Sequence, residues 1–173
     1  MPKLPKLDKV DFQILDILQR EGRISNAELA RRISRSQPAT HARLKRLEQS
    51  GLIRAYMALL DREMLGFEML CFVHVTLEKH QPDHVKNFHA SVAQMPEVTE
   101  CYHVTGDYDY LLKVVMRHRR EMEDFLVDKL SRISGVGRIH TSVVLREVKE
   151  TYALPLLAPT DEAEAVGDAG EQT

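Results

Sequence analysis

The fold of the N-terminal part is decided by residues 25–51, SNAELARRISRSQPATHARLKRLEQSG. Ser25 and Glu28 have capping-box spacing, which predicts that a helix begins at this serine. A turn at residues 34–36 follows. Ser36 or Gln37 then caps a further helix, with Pro38 in its first turn, where no N–H partner is needed. The stretch predicts two helices joined by a turn of about three residues, which is the helix-turn-helix pattern.

A third helix precedes this pair, from about residue 8 to residue 20. Asp8 can cap it, because a carboxylate accepts backbone N–H bonds at the positive end of the helix dipole. Gly51 ends the last helix of the three. The apolar positions recur at helical spacing and predict one inward face for each helix. They are Val10, Ile14, Ile17 and Leu18, then Ala27, Leu29, Ala30 and Ile33, then Thr40, Leu44 and Leu47.

The 173 residues carry a net charge of -2, and this figure hides a strong asymmetry. Residues 1–60 hold twelve Lys and Arg against six Asp and Glu, a balance of +6, so the remainder carries -8. Residues 31–47 contain six basic side chains and no acid. This favours a polyanionic partner, although a solvated basic surface on a plain three-helix bundle is the open alternative.

Double-stranded DNA is the partner that a helix-turn-helix fits, because its second helix can enter the major groove. Gln37, Thr40, His41 and Arg43 are candidates for base edges, and Arg31, Arg32, Arg35, Lys45 and Arg46 are candidates for phosphates. Ser25, Asn26 and Ser36 complete the candidate DNA-binding set.

The rest of the chain predicts a ferredoxin-like βαββαβ domain, so that the whole fold is α+β. The segment 52–60 is predicted as a strand that leaves the last helix. The following elements are predicted at residues 67–78 (strand), 82–94 (helix), 98–105 and 109–116 (a hairpin of strands), 119–133 (helix) and 139–148 (strand). The predicted domains are 1–51 (helix-turn-helix), 52–66 (linker strand), 67–158 (ferredoxin-like) and 159–173, an acidic tail expected to be disordered.

Several classes of protein are disfavoured. No run approaches the roughly 20 apolar residues of a membrane helix, and the N-terminus lacks the apolar run of a signal peptide, so a cytoplasmic protein without a membrane partner is expected. In that compartment Cys71 and Cys101 are expected to be buried thiols. No Walker loop, GxGxxG or nucleophile elbow is present, so no enzymatic activity and no cofactor are predicted.

A metal site is a weaker alternative. His80 and His84 have i, i+4 spacing, but Pro82 begins the helix between them. Three further histidines fall on predicted strands and could converge: His74, His103 and His140. Ordinary structural histidines are favoured, and no metal is predicted.

An RNA-binding sheet is disfavoured because its central strands lack paired aromatic residues.

Four stretches together resemble the Lrp/AsnC, or feast/famine, family of bacterial and archaeal transcription regulators. They are LDKVD at 7–11, GRISNAEL at 22–29, RLKRLEQSGLI at 43–53 and TGDYDYLL at 105–112. The resemblance spans residues 7–156 and is greatest to leucine-responsive regulators, through Glu100-Cys101 and the runs 106–113 and 143–149.

The resemblance implies a regulator that binds DNA through its third helix, at the nucleoid. It further implies a linker strand that pairs with a second subunit, a dimer formed through the sheet, and assembly of dimers up to octamers. Small effectors, usually amino acids, are implied near the 106–109 hairpin. A sensor without enzymatic activity and a global nucleoid-associated protein are the alternatives.

The effector hairpin also has a physical basis. Asp107 and Asp109 offer carboxylates to an α-ammonium, and exposed backbone N–H groups can take an α-carboxylate. Ordinary turn chemistry is the alternative. The candidate effector residues are Thr105, Gly106, Asp107, Tyr108, Asp109, Thr141 and Ser142.

Two departures from the family limit what can be transferred. Arg35 and Gln37-Pro38 replace common family residues at the turn and at the start of the third helix, so the operator sequence does not carry over. His103 and Ser142 stand where leucine-responsive members have bulkier apolar groups. They predict a more polar pocket and an effector other than leucine.

Overall fold

The N-terminal part is helical in the computed structural model, which describes residues 6–78 and 81–156. The three predicted helices are confirmed. They are α1 (Lys9–Arg20), α2 (Asn26–Arg32) and α3 (Gln37–Gln49).

Short polar side chains begin each of these helices. The Asp8 carboxylate accepts the backbone N–H of Asp11 at 2.9 Å, and the Asp11 carboxylate accepts that of Asp8 at 3.2 Å, which completes a reciprocal cap. Ser25 accepts from the Glu28 N–H at 3.2 Å. Ser36 caps α3 in the same way. Because each cap is local, the sequence alone locates these three helix starts.

The helices enclose a small core of four buried aliphatic side chains, Ile14, Leu29, Ile33 and Leu47. Thr40 is also fully buried, and its hydroxyl donates to the Ser36 carbonyl at 3.0 Å. The turn between α2 and α3 holds Ser34 at φ 53°, a left-handed conformation that a residue with a Cβ adopts at a cost.

The second part is a four-stranded antiparallel sheet with the order β2-β3-β1-β4, which confirms the ferredoxin-like prediction. Its strands are β1 (Met69–Leu77), β2 (Val98–His103), β3 (Tyr110–Met116) and β4 (Val136–Val143). The connecting helices are α4 (Pro82–Val92) and α5 (Arg119–Asp124), and a π-helical segment, Phe125–Leu130, continues α5.

One sheet face packs on the helices and the other does not. In β1 the side chains of Cys71, Val73 and Val75 are buried, whereas those of Phe72 and His74 are only partly covered. The buried set joins Phe88 of α4 and Phe125 in one core, because alternate residues of a strand point to opposite faces. The partly covered surface is called the open face below.

The predicted linker strand, 52–66, stays a prediction. Within the described chain residues 52–60 form no strand, because a strand needs hydrogen bonds from a partner backbone and the partner that the resemblance implies is a second subunit. The linker instead turns at Arg62, whose guanidinium donates to the Phe67 carbonyl at 2.8 Å and pairs with Glu147 at 2.7 Å.

The predicted bounds of the last strand, 139–148, are wrong at both ends. It begins at Val136 rather than residue 139, because Gly137 belongs to the strand rather than to a break. A Cβ at Gly137 would lie 2.9 Å from the Glu78 side chain, so glycine permits the close approach of β1. The strand ends at Val143, opposite Cys71, because β1 has almost no backbone left to pair beyond it.

The two cysteines differ in their surroundings. Cys71 is fully buried, as predicted, and burial raises the pKa of its thiol. The prediction is wrong for Cys101, which is exposed because β2 lies at the edge of the sheet. Among the described residues, no helix is both long and apolar enough to cross a membrane.

By its internal contacts the chain divides into two units. One contains the residues up to Leu59 together with those from Glu150, and the other is Leu60–Lys149. The C-terminal segment thus returns to the helical unit, where Leu154 exchanges two hydrogen bonds with the Gln19 side chain, at 2.8 and 3.0 Å. The predicted acidic tail, 159–173, lies outside the described residues.

Candidate nucleic-acid interface and effector hairpin

An exposed polar face runs along α3. Gln37, His41 and Lys45 are all exposed and follow one another at four-residue spacing, so they share one side of the helix. Arg35 is exposed in the turn before α3. Within the described part of the chain, neither Arg35 nor Lys45 forms an ion pair.

The assignment of Thr40 to base edges is wrong. Its side chain is fully buried in the helical core and bonded to the preceding turn, so it faces away from the exposed side of α3.

Arg43 was predicted on the outer face, but it is anchored to α1. Its guanidinium donates to Asp8 at 2.6 Å and to Asp11 at 2.9 Å, and Arg46 also pairs with Asp11. Asp11 is fully buried. Burial opposes ionisation of Asp8, but hydrogen bonds from the Asp11 backbone and from Arg43 outweigh it and hold the Asp8 pKa below its ordinary value. Arg43 therefore orients α3 on α1.

The arginines of α2 are held by acids of the same unit. Arg31 makes a bidentate pair with Glu28 at 2.7 and 2.8 Å, and Arg32 joins Glu28 to Glu21. The hydrogen bonds from Arg31 and then Arg32 lower the Glu28 pKa to about 2. The Arg31 side chain is still 74% exposed, so it can contact a phosphate without leaving its helix.

The remaining candidates at the helix starts have structural partners. Ser25 and Ser36 are caps, as described above. Asn26 donates to the Gln37 carbonyl at 3.2 Å and so connects the start of α2 to that of α3. Its Oδ1 is buried and has no hydrogen-bond partner among residues 6–78 and 81–156.

The predicted effector hairpin lies between β2 and β3 and is anchored to β1. Gly106 adopts φ 119°, which side chains disfavour. The Asp109 N–H donates to the Val75 carbonyl at 3.0 Å, and its carboxylate accepts the Leu77 N–H at 2.7 Å. Asp109 therefore fixes the hairpin, whereas Thr105 and Asp107 are exposed.

Tyr108 connects the hairpin to a cluster on the open face that sequence reasoning did not assign to the effector. Its ring centroid lies 4.7 Å from that of His74 and 6.1 Å from that of His140, and the Arg138 guanidinium lies 5.1 Å above it. His74 and His140 are cross-strand partners. The sequence shows that both histidines fall on predicted strands. It does not show that they lie opposite each other, because this depends on the register of β1 and β4.

The converging histidines of the metal alternative are only partly brought together. His74 and His140 lie 5.8 Å apart, but His103 stacks on the buried Tyr110, on the opposite side of the sheet. No three His, Cys, Asp or Glu side chains within residues 6–78 and 81–156 form a group fit for a metal ion. His80 is outside the described residues.

Thr141 and Ser142 cannot line one pocket together, which corrects their joint assignment. Thr141 pairs with the buried Val73, and Ser142 pairs with Phe72 on the open face. Successive side chains of a strand point to opposite faces. Of the two, Ser142 is the one that shares the open face with His140.

Comparison with known proteins agrees with both halves of this arrangement. Residues 70–154 match the family model described as the Lrp/AsnC ligand binding domain, and residues 7–54 match that of a winged helix-turn-helix DNA-binding domain. The leucine-responsive regulatory protein of Haemophilus influenzae is 41% identical over 150 residues, covering 87% of this chain and 90% of that protein. The chain belongs to the Lrp/AsnC family.

Further Lrp/AsnC relatives extend the match. The leucine-responsive regulatory protein of Escherichia coli K12 is 40% identical over 86% of this chain and 90% of its own. A Neisseria meningitidis transcriptional regulator, solved in complex with L-methionine, superimposes with a TM-score of 0.84 at 38% identity over 87% of this chain and 97% of its own. The structure of Escherichia coli AsnC superimposes with a TM-score of 0.75 at 27% identity, over 84% of this chain and 97% of its own.

The family assignment confirms the predicted resemblance and the α+β fold. The protein is a transcription regulator of the Lrp/AsnC family, with a helix-turn-helix DNA-binding domain and a small-effector domain.

Proposed function

We propose that this regulator reads duplex DNA with the exposed face of α3 and that an amino acid bound at the 106–109 hairpin modulates this binding. The observation that carries the proposal is the exposed stripe Gln37, His41 and Lys45 on a segment of net charge +6.

The side chains divide by chemistry. Gln37 and His41 carry hydrogen-bonding groups suited to base edges, whereas Arg35, Lys45 and the exposed Arg31 suit phosphates. Arg43 and the half-exposed Arg46 pair with the buried Asp11, and Thr40 is buried, so these residues set the position of α3. Arg32 is held between two acids.

Two substitutions test this division by fluorescence anisotropy, with a duplex selected from a random pool and with an unselected duplex. His41→Ala should weaken the selected duplex by about 5- to 150-fold, which is about 1–3 kcal/mol, and spare the unselected one. Lys45→Ala should weaken both equally and reduce the salt slope by about 0.9. Lys86→Ala, on the exposed side of α4, is the control. Equal losses for both duplexes in His41→Ala would remove His41 from base recognition.

The effector site rests on Asp107. Its carboxylate is exposed beside a glycine turn, and Arg138 donates to its carbonyl at 3.5 Å. The neighbouring Tyr108 contacts His74 and His140, and these imidazoles make the surroundings polar and favour a polar effector over leucine; His103, which the sequence also assigned to the pocket, lies on the other side of the sheet.

Calorimetric titration with the twenty amino acids, L-methionine and leucine included, tests this site. At least one should bind, and Asp107→Asn should weaken it at least tenfold, while the exposed Asp83→Asn on α4 leaves it unchanged. Tightest binding by leucine would refute the polar-effector hypothesis, and binding unaffected by Asp107→Asn would refute the site.

We also infer a homodimer as the functional unit, with octamers assembled from dimers, acting at the nucleoid in the cytoplasm. Support comes from apolar groups left uncovered on the single chain, which include Tyr102 on the open face and Met57, Leu59 and Leu60 in the linker. Phe72→Glu on the open face should convert the dimer to a monomer in size-exclusion chromatography with light scattering. An unchanged mass would refute the use of this face.

A further inference from the structure

The end of the described chain is fixed beside the DNA-binding helices. Leu154 is held by the Gln19 side chain of α1, and Leu156 is half-buried in a surface groove with Ile17 and Arg32. The segment that follows Leu156 therefore starts next to α1 and α2, within the helical unit.

That following segment is strongly acidic. Residues 157–173 carry five carboxylates and no Lys or Arg: Asp161, Glu162, Glu164, Asp168 and Glu171. Residues 31–47 carry six basic groups and no acid. Opposite charges of similar number thus belong to one unit of the chain.

The segment is long enough to reach α3. At about 3.3–3.6 Å per residue, Asp161 can lie up to about 17 Å from Leu156 and Glu171 up to about 50 Å. A unit of some 60 residues has a radius of gyration of only about 10 Å, so every part of its surface is within this reach.

We propose that residues 157–173 occupy the basic surface around Arg35 and Lys45 and compete there with DNA phosphates, an inference that rests on the proposed DNA-binding function. Arg35 and Lys45 are the natural targets, because they have no acidic partner among the described residues, whereas Arg31, Arg32, Arg43 and Arg46 are paired. The tail then acts as a built-in competitor that sets the threshold for DNA binding.

The magnitude follows from tethering. A linked segment has an effective concentration of about 1 mM. If such a short polyanion binds the surface with a dissociation constant of about 0.1 mM, at the weak end of non-specific nucleic-acid binding, it lowers the affinity for DNA by about tenfold. Salt screens the tail as well, so the effect should fade as ionic strength rises.

The first test neutralises the tail in the full chain, as D161N/E162Q/E164Q/D168N/E171Q. In anisotropy titrations with duplex DNA, this variant should bind about tenfold more tightly than the wild type at 50 mM salt. The two should converge near 300 mM, so the neutralised protein should show the steeper salt dependence. E123Q/D124N, which removes two exposed charges from α5, is the control and should change the affinity less than twofold. Equal affinities of wild type and neutralised variant at 50 mM would overturn the proposal.

The second test separates competition from long-range repulsion. A peptide of residues 157–173 is titrated into the isotope-labelled neutralised protein without DNA, and amide NMR shifts are followed. Saturable shifts centred on residues 35–45, reversed by duplex DNA, are expected. Tighter DNA binding by the neutralised variant without any peptide-induced shift would mean repulsion alone and overturn the proposal. If no variant binds DNA at any salt concentration, the proposed DNA-binding function fails, while the peptide titration still tests tail contact.

Discussion

Replacing Asp11 by asparagine tests the ion-pair network that orients α3. The fully buried carboxylate accepts from Arg43, Arg46 and the Asp8 backbone N–H. Asparagine preserves size and one acceptor oxygen but removes the charge. Hydrogen bonds to charged groups contribute about 1.5–3 kcal/mol against about 0.5–1.5 for neutral ones, so two arginine bonds lose about 2–3 kcal/mol. Arg43 keeps its ion pair with Asp8, and Arg46 is half-exposed. The expected loss in the free energy of unfolding is therefore at the lower end, about 2 kcal/mol.

The assay is thermal and urea unfolding of the full chain, followed by far-UV circular dichroism. A unit of this size should melt about 8–16 °C lower in Asp11→Asn. Asp16→Asn, on the same helix but in an exposed pair with Arg20, is the matched control and should leave the midpoint unchanged. A loss below about 0.5 kcal/mol in Asp11→Asn would show that the network does not stabilise the α1–α3 packing.

Three further predictions concern single positions. The Glu28 pKa falls from 4.5 to about 2 on folding, so the contribution of this carboxylate to the stability of the folded state should be complete above pH 4.5 and lost as the pH falls to about 2. Acid unfolding of Glu28→Gln should show no such contribution. Ser34→Gly should be at least as stable as the wild type in urea, and Ser34→Val less stable by about 1–2 kcal/mol, since Ser34 has φ 53°; equal stability of the two variants would refute the strain. Gly135→Ala should destabilise the sheet unit by about 1–3 kcal/mol in calorimetry, because the new Cβ would meet His84 Nδ1 at 2.0 Å and φ is 91°; an unchanged transition would contradict this.

Local chemistry made the helix starts and the element order predictable. Ser36 and Pro38 locate the beginning of α3 without reference to the rest of the chain, because a cap involves only neighbouring residues. The β-rich apolar composition of residues 67–78 and the turn signal at residues 106–108 likewise predicted the strands β1 and β3, which the structure confirms.

Contacts between residues far apart in the sequence could not be predicted. Arg43 meets Asp11 across 32 residues, and which of six basic side chains faces two acids depends on how α3 packs on α1. The split of Thr141 and Ser142 between the two faces depends on a register that begins at Val136. Residues 52–60 have the composition of a strand, but composition supplies no partner backbone.

The hydrogen bonds between Gln19 and Leu154 have a consequence for the order in which the protein forms. These two residues are 135 positions apart, so at about 5–20 residues per second the ribosome adds Leu154 some 7–27 s after Gln19. The whole sheet unit is synthesised in that interval. The helical unit therefore emerges first and is completed last, and a nascent chain that stalls before Leu154 presents Leu15 and Leu18 of α1 without the segment that closes over them.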